Sequence, residues 1–441
     1  MKRIVIAAAA AVGIFIGGGL LYGEVVFRQG IAEEERPRGQ KLTSYDFETV
    51  RTRNIAVFPL TFQDSTAQQL ETLPTAKQLQ TVMFDKSSAV AKYLDSQSFG
   101  QFTMTGKVFE PIALAENFIQ PDGSPKWIQG FDSIELPINL DLGSYDTIIF
   151  VPMTAAGTLS TAVVFDGPTT GFAINGDAVP SNLGLMWLPI DVSDSINNFK
   201  ETWVGWTNAQ VDEFKEGTWI SPLTQFERTF IHELVHDLGV FGHANSRTGD
   251  GVPYWQADNL AEEWDVEYGN NFDIMGNSSS AQGLSSFFKH RLGWISDRVI
   301  TILEGASQRV QLEPNDSPTG FIGVQIINKG VFNQWTFRQD ADYTETGYWI
   351  EVLPRKSPYS SNLDFVSSNA DGLIIHVTDG ISPLLLDASP GPTRKYDWGK
   401  IADLSDVVLR PGESFSDGVI EITNVQASEE GTVSFLISKL E

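Results

Sequence analysis

The chain has no cysteine in its 441 residues, which excludes disulfides and thiolate metal ligands alike. Basic residues are also short, 30 against 56 acidic ones, for a net charge of -26. That imbalance disfavours nucleic acid and anionic membrane surfaces as partners. It permits calcium, yet no D-x-[DN]-x-[DN]-G loop is present, so Ca2+ is a cofactor the composition allows and no motif demands. There is no internal repeat, and the only low-complexity stretch is an alanine run near the start. Histidine is scarcer than any of these except cysteine, with five in the whole chain. What remains is ordinary for a foldable chain: 41% hydrophobic and 11% aromatic residues, enough length for two folded domains.

The one long apolar run lies at the N-terminus. Lys2 and Arg3 precede an uncharged stretch from Ile4 to Gly23, and Glu24 is the first acidic residue. A basic start followed by such a run is an export signal. Its length is enough to cross a bilayer as a helix, and no A-x-A cleavage site follows. An uncleaved transmembrane anchor is therefore favoured over a removed signal peptide, and both stay open. The positive flank places residues 30–441 outside the cytoplasm, secreted or anchored, with the membrane touched only through the leader. The expected division is a leader at 1–29, a charged linker at 30–50, a catalytic unit at 51–300 and a β-sandwich at 301–441.

The pattern predicts an α+β unit followed by an all-β one. Strands are expected at Arg53–Leu60, Ser98–Gly106 and Tyr145–Pro152. Helical spacing runs over 76–95, through Leu79, Val82, Met83, Val90, Tyr93 and Leu94. Residues 154–220 show no periodicity. A helix should begin at Ser221-Pro222, as N-cap and first-turn proline, and end at Gly239. Its buried side is predicted as Leu223, Phe226, Phe230, Ile231, Leu234, Val235 and Leu238. Beyond residue 300, short apolar runs at 310–312, 322–327, 348–352, 373–377, 407–409, 420–422 and 433–437 read as strands of a sandwich.

That one helix carries the chemistry. Residues 232–243 read His-Glu-Leu-Val-His-Asp-Leu-Gly-Val-Phe-Gly-His and hold three of the five histidines. In H-E-x-x-H, His232 and His236 lie one turn apart on one helical face and can close on a single zinc ion. Glu233, beside the first ligand, is placed to act as general base toward water. Gly239 lets the chain turn, so that His243 can return as the third ligand. His290 and His376 read as ordinary helix and core residues.

The motif H-E-x-x-H-x-x-G followed by His243, with Met275 in Asp273-Ile274-Met275-Gly276-Asn277 as a Met-turn, resembles the metzincin clan of zinc metallopeptidases. Within it, His243-Ala244-Asn245-Ser246, Tyr268-Gly269, Leu292-Gly293-Trp294, Ser98-Phe99-Gly100-Gln101-Phe102 and Asp371–His376 are similar to the gametolysin and immune-inhibitor-A-like families. The resemblance implies an extracytoplasmic zinc endopeptidase acting on protein or peptide, with a C-terminal β domain. One departure stands out: Val240-Phe241-Gly242 puts three residues between glycine and histidine where the clan has two. Should that misplace His243, Asp250, Glu262 and Glu263 are the alternative ligands. The clan's tyrosine two residues after the Met-turn methionine is Asn277 here, which leaves Tyr268 as a substitute candidate. Two other readings stay open: a catalytically inactive surface binding or adhesion protein of the same fold, and a zinc hydrolase of cell-wall amide bonds. The oligomeric state is unknown.

Overall fold

The run Ile55-Ala56-Val57-Phe58-Pro59-Leu60 has no polar face to offer water, so a strand made from it must be covered on both sides. The structure, a computed structural model, describes residues 51–66, 70, 73–122, 126, 133–136, 141–154, 163–165, 173–175, 177–179, 183–191, 223, 225–240, 242–247, 265–266, 268–270, 272–276, 283–302, 307–327, 347–354, 371–378, 380, 382–386, 388 and 407–440. The leader, the linker, Ser221, Pro222, Asp250, Glu262, Glu263 and Asn277 lie outside them. The architecture is mixed α/β, mostly sheet with few helices.

The first half contributes β1 (Thr52–Thr61), α1 (Ala76–Phe84), α2 (Ala89–Gln97), β2 (Thr103–Val108), β3 (Ile112–Ala113), β4 (Ser133–Ile134) and β5 (Thr147–Thr154). It continues with β6 (Val163–Phe165), β7 (Ala173–Ile174), β8 (Asp177–Ala178), β9 (Gly184–Trp187), β10 (Ile190–Asp191) and α3 (Gln225–Asp237). The main sheet runs β2-β1-β5-β9-β6, with β3 and β10 appended. Its pairings are parallel except for β6, which closes the edge antiparallel to β9. Alternate side chains of the central strands feed two cores. Ile55, Val57, Ile149, Val151 and Met186 join the α1, α2 and α3 side chains in one. Ala56, Phe58, Ile148, Phe150 and Trp187 line the other.

The second half contributes β11 (Asn245–Arg247), β12 (Asp265–Val266), α4 (Ser286–Arg291), β13 (Val299–Ile302), β14 (Ser307–Leu312), β15 (Gly323–Ile327) and β16 (Gly347–Val352). After these come β17 (Leu373–Thr378), β18 (Pro383–Leu386), β19 (Phe415–Ser416), β20 (Ile420–Ala427) and β21 (Val433–Lys439). A seven-stranded sheet runs β12-β11-β18-β17-β16-β15-β13 and a four-stranded one β14-β21-β20-β19. The smaller sheet alternates buried and exposed residues, as an outer layer should. Val310, Leu312, Ile422, Phe435 and Ile437 from it pack on Val324, Ile326, Tyr348, Ile350 and Ile375 of the larger sheet. The larger sheet is buried on its other face too, where Trp349, Glu351, Ile374 and His376 project together. The seven-stranded sheet crosses residue 300, since β11 and β12 precede it and pair into the strands that follow.

Several local readings change. The 76–95 spacing forms two helices, because the Asp85 carboxylate accepts the Ser87 N–H (2.7 Å) and Ser88 caps the second helix by accepting from the Ala91 N–H (3.0 Å). The strand expected from Ser98 starts only at Thr103: Phe99 and Gly100, with φ of 55° and 74°, form a left-handed turn that ends α2. At 407–409 only Leu409 pairs, with Leu373, while Val407 and Val408 fill a small core. No helix among the described residues is long and apolar enough to cross a membrane.

Candidate metal centre

Helix α3 lies with its apolar stripe in the core: Phe226, Phe230, Ile231, Leu234, Val235 and Leu238 are all buried there. It ends in a Schellman turn. Gly239 has φ of 100°, its N–H donates to the His236 carbonyl (2.9 Å), and the Val240 N–H donates to Val235 (3.3 Å). The same turn brings the Val240 carbonyl under the His236 ring, whose Nδ1 donates to it at 2.6 Å. Asp237 faces the opposite way, accepting from the Thr147 hydroxyl (2.6 Å) and lying 3.3 Å from Arg53 Nε, which ties the end of the helix to the sheet.

His232, His236 and His243 meet, with one ligand atom from each lying within 4.8 Å of the others, and all three residues are buried. The Nε2 atoms of His232 and His236 are 3.1 Å apart, and those of His236 and His243 are 3.2 Å apart. The extra residue before His243 thus coexists with convergence of the three rings. His232 Nδ1 donates to the Ile274 carbonyl at 2.8 Å, as His236 Nδ1 does to Val240. A carbonyl only accepts, so in both neutral rings the proton sits on Nδ1 and the Nε2 lone pair faces the cluster centre. Lone pairs aimed at one another repel; a cation between them turns that repulsion into ligation. The donor set therefore fits a metal ion of the kind imidazole favours.

Glu233, adjacent to the first of these histidines, is also buried. Tyr268 comes in from outside the helix, its hydroxyl 3.0 Å from His243 Nε2 and its ring centroid 4.0 Å from that imidazole. Its φ of 59° is a left-handed conformation that bulky residues rarely adopt. The loop 268–276 grips the strand after His243 at several points. Tyr268 N–H donates to Asn245 Oδ1 (3.0 Å), Asn270 N–H to the Ala244 carbonyl (3.1 Å), and Ala244 N–H to the Met275 carbonyl (2.9 Å). Gly276 must be glycine, because a Cβ there would lie 1.9 Å from the Asn270 carbonyl oxygen.

Met275 is fully buried in the core that holds α3. The turn around it is organised by Asp273, whose carboxylate accepts the Met275 N–H (2.8 Å) and the Ser285 N–H (2.9 Å). Burial pushes the Asp273 carboxyl up to about 6, with the Ser285 and Met275 hydrogen bonds opposing it. Close by in the fold, burial lowers the Lys289 ammonium to about 8, against the attraction of Asp316, Glu351 and Asp273.

No protein-family model matches this chain, and a search of curated proteins finds no match. Of the residues singled out in the sequence, the structure brings together His232, His236 and His243, buries Glu233 on the same helix, sets Tyr268 against the third histidine, and places Met275 in the turn beside them. His290 stands apart on α4. The sequence reading missed Asn270 and the carbonyls of Ile274 and Val240, since carbonyl placement leaves no residue-type signature.

Proposed function

We propose that this chain is an extracytoplasmic zinc-dependent endopeptidase of the metzincin kind, with a peptidase domain followed by a β-sandwich. The observation that carries the reading is the convergence of three buried imidazoles, two of them tautomer-fixed with Nε2 inward, beside a buried glutamate on the same helix. His232, His236 and His243 would hold zinc, which when bound supplies a Lewis acid that polarises a carbonyl and makes water more acidic. Glu233 takes the proton from the attacking water and passes it to the departing amine. Tyr268 offers a hydroxyl donor to the carbonyl oxygen as charge develops there, the role left vacant where Asn277 stands. The carbonyls of Ile274 and Val240 keep two rings in the ligating tautomer. A protein or peptide is the substrate, consistent with an acidic chain that repels nucleic acid.

The test uses the full-length chain loaded with zinc and offered a broad peptide mixture, with Glu233→Ala as control. Cleavage should fall about 100-fold or more in the variant, in line with the loss of a general base. A folded, metal-bearing protein that cuts no peptide bond would overturn the peptidase reading in favour of a binding protein.

A further inference from the structure

The segment around Tyr268, Asn270 and Met275 lies against the candidate metal centre, and one of its contacts comes from a residue more than a hundred positions away. Asn270 is buried, and its backbone N–H and both polar atoms of its side chain have partners. Its backbone N–H donates to Ala244, its Oδ1 accepts the Phe272 N–H at 2.9 Å, and its Nδ2 lies 3.3 Å from His376 Nε2. A backbone N–H can only donate, so Oδ1 must face Phe272 and Nδ2 must face the histidine. His376 Nε2 must then accept, so the ring proton sits on Nδ1, whose nearest carboxylate oxygen, Glu351 Oε1, is 3.8 Å away, beyond hydrogen-bond distance. Glu351 is itself fixed, its other oxygen accepting the Ser286 N–H (2.8 Å) and the Asn315 amide (3.0 Å). Glu351 and His376 lie on neighbouring strands of the seven-stranded sheet, on the face turned away from the sandwich core. Two polar side chains on a face otherwise suited to apolar cover are costly, and a sheet that needed only packing would carry apolar residues there.

We infer that His376 is a positioning residue for the metal centre, acting through Asn270. As a neutral Nε2 acceptor it fixes the Asn270 amide, and Asn270 fixes the Ala244 backbone beside His243 and the loop that presents Tyr268 and the Ile274 carbonyl. This rests on reading the three histidines as a metal site, and its test separates the two. Full-length protein carrying 15N-histidine is examined metal-free and on titration with cobalt(II). Only five histidines contribute signals, so each ring is assignable. His376 should appear as the Nδ1-protonated tautomer. His376→Leu, which removes the acceptor, should move the His243 and His232 ring signals in the metal-free state. It should also weaken cobalt binding about 10- to 100-fold with an altered d–d spectrum, the usual scale for an outer-shell partner. His376→Gln, which restores an acceptor, should recover both.

An Nε2-protonated His376, or a leucine variant with unchanged His243 signals and unchanged cobalt affinity, would overturn the inference. The tautomer is read on the unmodified chain, so a leucine variant that fails to fold does not protect it. If the unmodified chain takes up no cobalt, the metal reading fails, while the metal-free ring signals still decide the case of His376.

Discussion

Asp273 concentrates the tension between burial and function in one side chain. It is 1% exposed, organises the turn under the centre with two backbone hydrogen bonds, and yet its folded pKa is raised to about 6. An unfolded aspartate titrates near 3.9, so the fold favours the protonated carboxyl, as about two pKa units of burial cost require. The sign follows from linkage: stability from this group is greatest below pH about 4 and is lost as pH rises through about 6, by about 3 kcal/mol in all. Asp273→Asn keeps one acceptor and removes the ionisation. Melting curves taken between pH 4 and 7 should therefore be flatter for the variant than for the parent chain. An unchanged slope would mean that Lys289, buried in the same region, already neutralises the carboxylate.

At the scale of elements, the end of the candidate metal helix meets the first sheet in a close approach. Gly184 in β9 faces Asp237, and a Cβ there would lie 1.9 Å from Asp237 Oδ1 and 3.2 Å from Thr147 Oγ1. Asp237 cannot swing away freely, since Thr147 and Arg53 both hold it. Gly184→Ala should cost about 1–3 kcal/mol by overpacking and should weaken metal binding, because His236 immediately precedes the displaced residue. Asp237→Ala alone should also destabilise, as it strips the Thr147 hydroxyl of its acceptor and Arg53 of its ion-pair partner, although the Asp237 backbone carbonyl still accepts from Arg53. The double variant should lose clearly less than the two costs added, because each change relieves the other's defect. Simple additivity in urea denaturation would show that the approach is not tight.

The body of this helix was well marked in the sequence: its stripe, its glycine stop and the spacing of His232 and His236 follow from helical periodicity, but it begins at Gln225, which leaves Leu223, expected within it, buried ahead of the first turn. The break between α1 and α2 was not well marked, because the apolar stripe continues across it and only Asp85 and Ser88 mark the gap. The strand β11 was equally hidden. Its three residues carry no apolar alternation, and they form a strand because β12 and, more than a hundred residues later, β18 pair with them. His232 and His236 were legible for the same reason as the helix, and His243 from the glycine turn that follows it. Their holders were not, since Asn270, His376 and two carbonyls reach the site through tertiary contact alone.

At the scale of the whole molecule, the contacts that support the centre run across residue 300 in both directions. Lys289 donates to the Asn315 carbonyl (2.7 Å), Trp349 Nε1 to the Ser286 hydroxyl (2.7 Å), Ser286 N–H to Glu351 (2.8 Å), and Asn270 meets His376. Ile322 and Trp349 belong to the same core as α3 and Met275. A chain ending at residue 300 would leave a buried ammonium without its acceptor and β11 without β18. It would also strip the apolar cover from α4. Losing a partner of one buried charge costs about 3–5 kcal/mol, a large share of the stability of an ordinary domain. Residues 51–300 expressed alone should therefore aggregate or fail to show a cooperative melt. The full chain should unfold in one calorimetric transition, with ΔH from the heat equal to the van't Hoff value. Two resolved transitions, together with a soluble 51–300 fragment that still binds metal, would show the two halves to be independent and would confine the site's support to the first of them.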